Sequence, residues 1–467
     1  MTTLLPQQRP GLLVLLFCVV LFWALSLLWL FPAPLSHLDC SVETSKARFR
    51  DAGVPKKPDN AATVVTHDDL PMVLAIYFPQ FHPDPLNDRL WGVNFTDWTS
   101  LRAAPTHNRN SFPLAHPLPK YGGYYDLRET KVRRLQGELA KKFGIDGFVY
   151  HHYWFYDEAH LGPNLQAPLE AMLRDGQPDV PFLFNWCAAP WLSMWTGKAA
   201  GGQTAAANTV LQNQYWPTNL TQIRQHYDWL RQFWIHKNYI RVGGHPVLLM
   251  YQYFPESFPV LWQFRKWAMA DDAVGGLTIW MSRSNTHPDL VDISKLSDQQ
   301  KRVWKRKSQQ IELLAPVESE PVWNTTVAYP YMHEWAVQGL NIPRWCRSGV
   351  AVTANTPIWA SLEIPGVITA FDNTPRREAE KATIWSPKET PQQVVDQFER
   401  SLHAAVYYET CCRRLAVYSP KQKFILVNAW NEWAEGMMLE PSTVYGDGFL
   451  QAVRKVKADL LNHGCQW

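Results

Sequence analysis

The sequence predicts an α/β fold, a (β/α)8 TIM barrel with long loops, from three observations. Eight short β-rich runs recur along the chain, helical patterns separate them, and polar-aromatic clusters fall where the runs end. The runs lie at 72–77, 147–152, 181–186, 246–252, 277–283, 324–329, 366–371 and 424–430. An open doubly wound sheet is the alternative. It would come more naturally with a Gly-rich phosphate loop, and the chain holds neither G-x-G-x-x-G nor a Walker motif.

Before the first run, residues 1–10 form a short tail and residues 11–31 an apolar stretch without a charge. A membrane-spanning helix needs about 20 such residues. A signal peptide has an apolar core of only about 7–15. The stretch is therefore expected to be an uncleaved transmembrane signal anchor. Arg9 precedes it, while Asp39 and Glu43 follow, a bias that leaves the tail in the cytosol. The bulk of the chain is then lumenal, as a single-pass type II membrane protein of the Golgi or endoplasmic reticulum. Residues 32–70 read as a polar stem with Pro55-Lys56-Lys57-Pro58, and residues 71–467 as the barrel. A helix is expected at about 130–143, with Val132, Leu135, Leu139 and Phe143 on one face and Gly144 as its stop. Another starts after Thr390, where Pro391 suits the first turn and Gln393 completes a capping box.

Composition narrows the function classes. The 467 residues are 46% hydrophobic, enough for a large core, and the net charge of +3 comes without a Lys/Arg run, so no nucleic-acid footprint is present. The 23 Trp in a chain only 19% charged fill a core or offer flat faces to sugar rings. Cys18 lies in the apolar stretch. Cys40, Cys187, Cys346, Cys411, Cys412 and Cys465 show no C-x-x-C, so neither a zinc ribbon nor a thioredoxin motif is supported. A lumenal chain can form a disulfide or two from them, but spacing does not say which. Asn94, Asn219 and Asn324 match the glycosylation sequon.

The clusters at the run ends carry the chemistry. Tyr77-Phe78-Pro79-Gln80-Phe81-His82 follows the first run, His151-His152-Tyr153-Trp154-Phe155 ends the second, and Asn185-Trp186 ends the third. Asp372-Asn373 follows the seventh, and the eighth leads into Trp430-Asn431-Glu432. In a barrel these ends converge on one face. Glu432 and Glu435 stand three residues apart. If the chain turns helically there, their Cβ atoms lie about 5–6 Å apart on one face. A carboxyl pair at that spacing suits glycoside chemistry, where one member is ionised and the other protonated. Trp430 and Trp433 would desolvate one carboxyl and raise its pKa. By spacing alone, an i,i+3 acidic pair more often marks a solvated helix start. The flanking Trp residues and Gly436 are an odd composition for such a turn. His151-His152 lacks a second ligand set at zincin spacing, so no metal is expected.

Trp430-Asn431-Glu432-Trp433-Ala434-Glu435-Gly436, with Leu439-Glu440-Pro441 behind it, resembles the signature of the WbsX family and the related glycoside hydrolase family 99. Further matches to WbsX proteins run in order from Ala75 to Arg377. They include the stretch Ala75 to His82, Trp91-Gly92, Phe95-Thr96-Asp97-Trp98-Thr99, Gly123-Tyr124-Tyr125-Asp126-Leu127-Arg128 and Gly144-Ile145-Asp146-Gly147-Phe148. His152-Tyr153-Trp154-Phe155 and Phe371-Asp372-Asn373-Thr374-Pro375-Arg376-Arg377 complete the set. The resemblance covers about residues 72–441. It implies a (β/α)8 barrel and a glycan substrate, with neither metal nor other cofactor. WbsX proteins are described as glycosyltransferases of polysaccharide biosynthesis, and family 99 enzymes as retaining endo-α-mannosidases. Carried over, Glu432 is the base on the sugar 2-hydroxyl, through an epoxide-like intermediate, and Glu435 the acid/base. Tyr77, Gln80, His82, His152, Trp154, Trp186, Asp372, Asn431, Trp433 and Glu440 are expected to line the sugar site. One departure stands out. Many WbsX members carry Asn-Glu-Asn where this chain has Ala188-Ala189-Pro190, so a carboxylate expected near the site is missing. A retaining glycosidase or transglycosylase, a WbsX-type glycosyltransferase and a non-catalytic glycan-binding descendant are the three functions in contention.

Overall fold

A computed structural model describes residues 64–192, 209–251, 254–282, 325–327, 364–384, 390–412 and 422–465. The apolar stretch at 11–31 and most of the expected stem lie outside them. Among the described residues, no helix is long and apolar enough to cross a membrane.

Eight parallel strands fall on the eight expected runs. They are β1 (Met72–Tyr77), β2 (Gly147–Asp157), β3 (Phe182–Trp186), β4 (His245–Met250), β5 (Thr278–Ser282), β6 (Thr325–Val327), β7 (Gly366–Ile368) and β8 (Phe424–Asn428). Hydrogen bonding joins them in the order β6-β5-β4-β3-β2-β1-β8-β7, each pair parallel. Apart from β6 and β7, which stand at the two ends of this order, each strand lies beside its neighbours in sequence, and the first lies against the last. That is the cyclic order of barrel staves. A doubly wound sheet would reverse its order at a switch point, and none occurs among the described strands. β1, β4 and β8 are apolar and buried nearly throughout, as strands covered on both faces are. In β1, Val73, Leu74, Ala75, Ile76 and Tyr77 are all buried. Full burial of one such large side chain stabilises by roughly 1.5–3 kcal/mol. Gly147 opens β2 where a Cβ would meet the Pro181 carbonyl oxygen at 2.5 Å, so only glycine fits.

β2 extends past the expected end at 152 because its residues from Tyr153 to Asp157 pair antiparallel with His160–Asn164. A run-length reading stops at the two histidines. The structure buries both.

Among the described residues, eight α-helices accompany the strands: α1 (Pro85–Trp91), α2 (Asp97–Ala103), α3 (Thr130–Phe143), α4 (Ala167–Asp175), α5 (Leu220–Trp234), α6 (Phe258–Met269), α7 (Pro391–Tyr407) and α8 (Gly448–His463). α3 ends at Gly144 in the left-handed region, as its sequence requires. It buries Val132, Leu139 and Phe143 of the expected apolar face, Leu135 only in part, and also Arg133 and Gln136. Thr390 and Gln393 form the expected capping box of α7. α7 packs on α8 through Phe398 and Phe449, and the disulfide Cys411–Cys465 ties the turn after α7 to the end of α8. That pairing was not legible from spacing.

Candidate active site

The chain leaves β8 at Asn428 and folds into a tight hairpin. Asn431–Glu432 pairs antiparallel with Met437–Met438, and a 3-10 turn at Trp433–Glu435 joins them. The expected helical turn is therefore a single tight one inside a hairpin. Gly436 closes it at φ +68°, and a Cβ there would meet the Asp372 backbone nitrogen at 3.0 Å. Asp372 N–H in turn donates to the Glu435 carbonyl at 2.8 Å. The hairpin is pinned to the end of β1 by Asn431. Its Oδ1 accepts from Phe78 N–H at 2.8 Å, and its Nδ2 donates to the Phe78 carbonyl at 3.0 Å. Asn431 thus braces the hairpin through both ends of its amide.

Both glutamates meet one guanidinium. Arg376 Nη1 donates to Glu432 Oε1 at 3.1 Å and to Glu435 Oε1 at 2.6 Å. The other edge of Arg376 grips Asp97 Oδ1, from Nε at 3.3 Å and Nη2 at 3.2 Å. Arg376 and Asp97 are buried, and the Phe78 ring lies 5.2 Å from the guanidinium carbon. Burial pushes the Glu432 carboxyl up to about 8; the neighbouring Glu435 adds to the rise, and Arg376 partly opposes it. Asp97 is also raised, first by burial. Sequence reasoning assigned neither Arg376 nor Asp97 a role, although both lie inside the matched motifs. The signal was a buried-charge argument that spacing does not supply.

Strand geometry decides which other expected residues reach the site. Successive side chains on a strand point to opposite faces. Tyr77, His152, Trp154 and Trp186 all point toward the helices, which corrects the expectation that they line a sugar site. Tyr77 donates to Gln136 of α3 at 2.6 Å. His152 shares a 2.8 Å hydrogen bond with His226 of α5, and burial holds its pKa near about 3. Trp154 stacks on His226, and Trp186 packs against His226 and Phe264 of α6. Their neighbours of opposite parity, Phe78, His151, Tyr153, Asn185 and Cys187, turn to the inner face. His151 packs against Phe78 and feels the charge of Arg376, and Tyr153 and Cys187 both feel that of Glu432. Cys187 is a buried free thiol, standing just before the altered Ala188-Ala189-Pro190 stretch.

Glu440 is also corrected. Its carboxylate accepts from Tyr125 Oη at 2.7 Å, Gln136 Nε2 at 2.8 Å, Trp430 Nε1 at 3.1 Å and Trp433 Nε1 at 2.8 Å. Four donors saturate it, so it holds the hairpin from behind; Trp433 is engaged there too. Burial still pushes Glu440 up to about 7. Asp372 accepts from Asn108 Nδ2 at 2.7 Å and from Thr374. Gln80 contributes its carbonyl, which accepts from Asp97 N–H at 3.0 Å and so seats α2. His82 Nδ1 lies 3.0 Å from the Pro79 carbonyl, and burial lowers its pKa.

Several buried polar atoms near these strand ends have no hydrogen-bond partner among the described residues. They are His151 Nε2, both amide atoms of Asn185, Gln80 Nε2, Asn428 Oδ1 and Asp97 Oδ2. Buried polar atoms are nearly always paired in folded proteins.

Comparison with known proteins agrees in kind. Residues 73–453 match the family model described as Glycosyltransferase WbsX. The chain is 28% identical over 436 residues to "Uncharacterized protein WxcX" of Xanthomonas campestris pv. campestris, covering 90% of this chain and 56% of that protein. It thus spans about half the length of the curated relatives it matches. Among solved structures it is similar to the GH99 endo-alpha-mannosidase from Bacteroides thetaiotaomicron, at TM-score 0.46 and 12% identity, over 85% of this chain and 99% of that one. A "Glycoside hydrolase-like protein" is similar at TM-score 0.45 and 14% identity, over 85% of this chain and 96% of that one.

Proposed function

The chain belongs to the WbsX glycosyltransferase family, a carbohydrate-active one, and from that premise we propose that it breaks or remakes a glycosidic bond through Glu432 and Glu435, with retention of configuration. One observation carries the reading: both carboxylates touch the same nitrogen of Arg376, at 3.1 and 2.6 Å. Oxygens so held cannot stand about 6.5–9.5 Å apart, the separation that lets an inverting enzyme fit its water. They suit the closer pair of a retaining one. Glu432 takes the proton of the sugar 2-hydroxyl as that oxygen bonds to C1, while the bond from C1 to the leaving oxygen breaks and Glu435 protonates that oxygen. Glu435 then deprotonates the incoming acceptor, whose oxygen bonds to C1 as the O2–C1 bond opens, and Glu432 returns its proton to O2. A carboxylate whose pKa is pushed up to about 8 is, once ionised, a stronger base than an ordinary one.

The substrate is a neutral glycan rather than a sugar nucleotide. A pyrophosphate donor needs a cation or metal to receive it. Among the described residues around the pair, Arg376 is engaged by three carboxyls and His151 is held neutral with its pKa near about 3, and the chain contains no Asp-x-Asp. The test is incubation of the full chain with an oligosaccharide library and, separately, with sugar nucleotides. Oligosaccharide turnover that disappears in Glu435→Gln supports the reading. Sugar-nucleotide turnover that survives Glu435→Gln overturns it. Saturable glycan binding with no turnover would favour the non-catalytic descendant that Ala188-Ala189-Pro190 raises.

In the same reading, β6 and β7 close the eight strands into a barrel, and the 11–31 stretch anchors it with the enzyme domain in the Golgi or endoplasmic-reticulum lumen. The disulfide Cys411–Cys465 supports an oxidising compartment. Protection of the barrel from added protease in intact microsomes is the expected result; digestion without detergent contradicts it.

A further inference from the structure

Three carboxyl groups share one buried guanidinium in this site, and the way they divide it points to a role. Arg376 offers two faces. Its Nε and Nη2 edge is taken by one oxygen of Asp97, at 3.3 and 3.2 Å. Its Nη1 reaches Glu432 and Glu435 together. Asp97 is itself fully buried, and its backbone N–H is fixed on the Gln80 carbonyl at 3.0 Å. The Phe78 ring covers the guanidinium. Asp97 of α2 and Phe78 at the end of β1 thus meet the cation from outside the hairpin that carries the two glutamates.

We infer that Arg376, anchored on Asp97, is the positioning residue that fixes both carboxylates of the pair about one guanidinium nitrogen. The inference rests on the reading of Glu432 and Glu435 as the reacting pair. A planar fork can hold one carboxylate along an edge and two more at its tip; a lysine nitrogen offers a point charge and no edge. The charge balance matters as much as the geometry. One cation cannot neutralise three carboxylates, two of which, Asp97 and Glu432, are buried, and an unpaired buried carboxylate is costly enough that it takes up a proton instead. The cluster therefore keeps a proton, and Arg376 governs how tightly. The groups facing Glu432 are Glu435 from its own hairpin, Arg376 from the turn after β7, Asp97 from α2, Tyr153 from β2 and Cys187 from the end of β3; His151 of β2 faces Arg376. Of these, only Arg376 is a cation.

The test needs no glycan, so its failure is separate from failure of the glycosidase reading. pH-difference infrared spectroscopy on the full chain follows the protonated-carboxyl band, and the part lost in Glu432→Gln belongs to Glu432. In Arg376→Gln that band should titrate at higher pH, by at least tenfold in proton concentration at the midpoint. Arg376→Lys keeps the charge but loses the fork, so it should still raise the midpoint, by at least threefold and by less than Arg376→Gln does. A folded Arg376→Gln whose midpoint stays put overturns the proposal, as does a native midpoint in Arg376→Lys, which would mean that charge alone suffices. If Arg376→Gln fails to fold, Arg376→Lys decides by the same criterion.

Discussion

The Glu432 carboxyl holds its proton well above the ordinary carboxylate range, and two consequences follow at the scale of single residues. The first concerns rate. A base works only when ionised, so the rising limb of kcat/KM should have its midpoint at about 8, the value of the free enzyme. A falling limb at that pH would exchange the roles of the two glutamates. The second concerns stability. A carboxyl raised from 4.5 to about 8 on folding contributes stability that is full below 4.5 and lost as pH rises through about 8. Unfolding measured across that window should show the loss in the native chain and a smaller one in Glu432→Gln. Glu440 invites a different substitution. Glu440→Gln turns an amide N–H₂ toward fixed indole and phenol donors, at a cost of about 1–3 kcal/mol in urea unfolding. An unchanged midpoint would mean that the carboxylate is not a brace. Two of the central residues, Glu432 and Glu435, were legible in the sequence because their Trp neighbours and motif order marked them. Tyr77, His152, Trp154 and Trp186 were misplaced because a motif names a stretch but not the parity of its side chains. A one-residue offset on a strand moves a side chain to the other face.

At the scale of elements, the hairpin at 431–438 depends on its closing residue. Gly436 sits at φ +68° against the Asp372 backbone, so Gly436→Ala meets both a strained conformation and a contact at 3.0 Å. The variant should keep overall folding, judged by far-ultraviolet circular dichroism, while losing activity at least tenfold as Glu435 moves off Arg376. Activity at the native level would show that the hairpin tolerates displacement. Helix ends were legible here because capping is local: Thr390, Pro391, Gln393 and Gly144 each act within one turn. Gln136 and Arg133 were not legible. An apolar-face reading of α3 looks for Leu and Val at helical spacing and passes over polar residues that are buried because a distant partner, Glu440 or Asp175, awaits them.

At the scale of the whole molecule, strand count and order followed from repeated apolar runs, since burial on both faces leaves little choice of residue. The disulfide did not follow, because Cys411 and Cys465 lie 54 residues apart and only the packing of α7 on α8 brings them together. Closing a loop of that length should be worth about 2–4 kcal/mol, so the Cys411→Ser, Cys465→Ser double variant should unfold at correspondingly lower denaturant. The claim on which the rest depends is that Glu432 and Glu435 perform chemistry on a neutral glycan with retention. The most direct measurement is proton NMR of the first-formed product when the full chain, native or Glu435→Gln, acts on the oligosaccharide it turns over. The account predicts a product of the same anomeric configuration as the substrate, formed about 100- to 10,000-fold more slowly by Glu435→Gln. An inverted product, or a native rate in the variant, would contradict it.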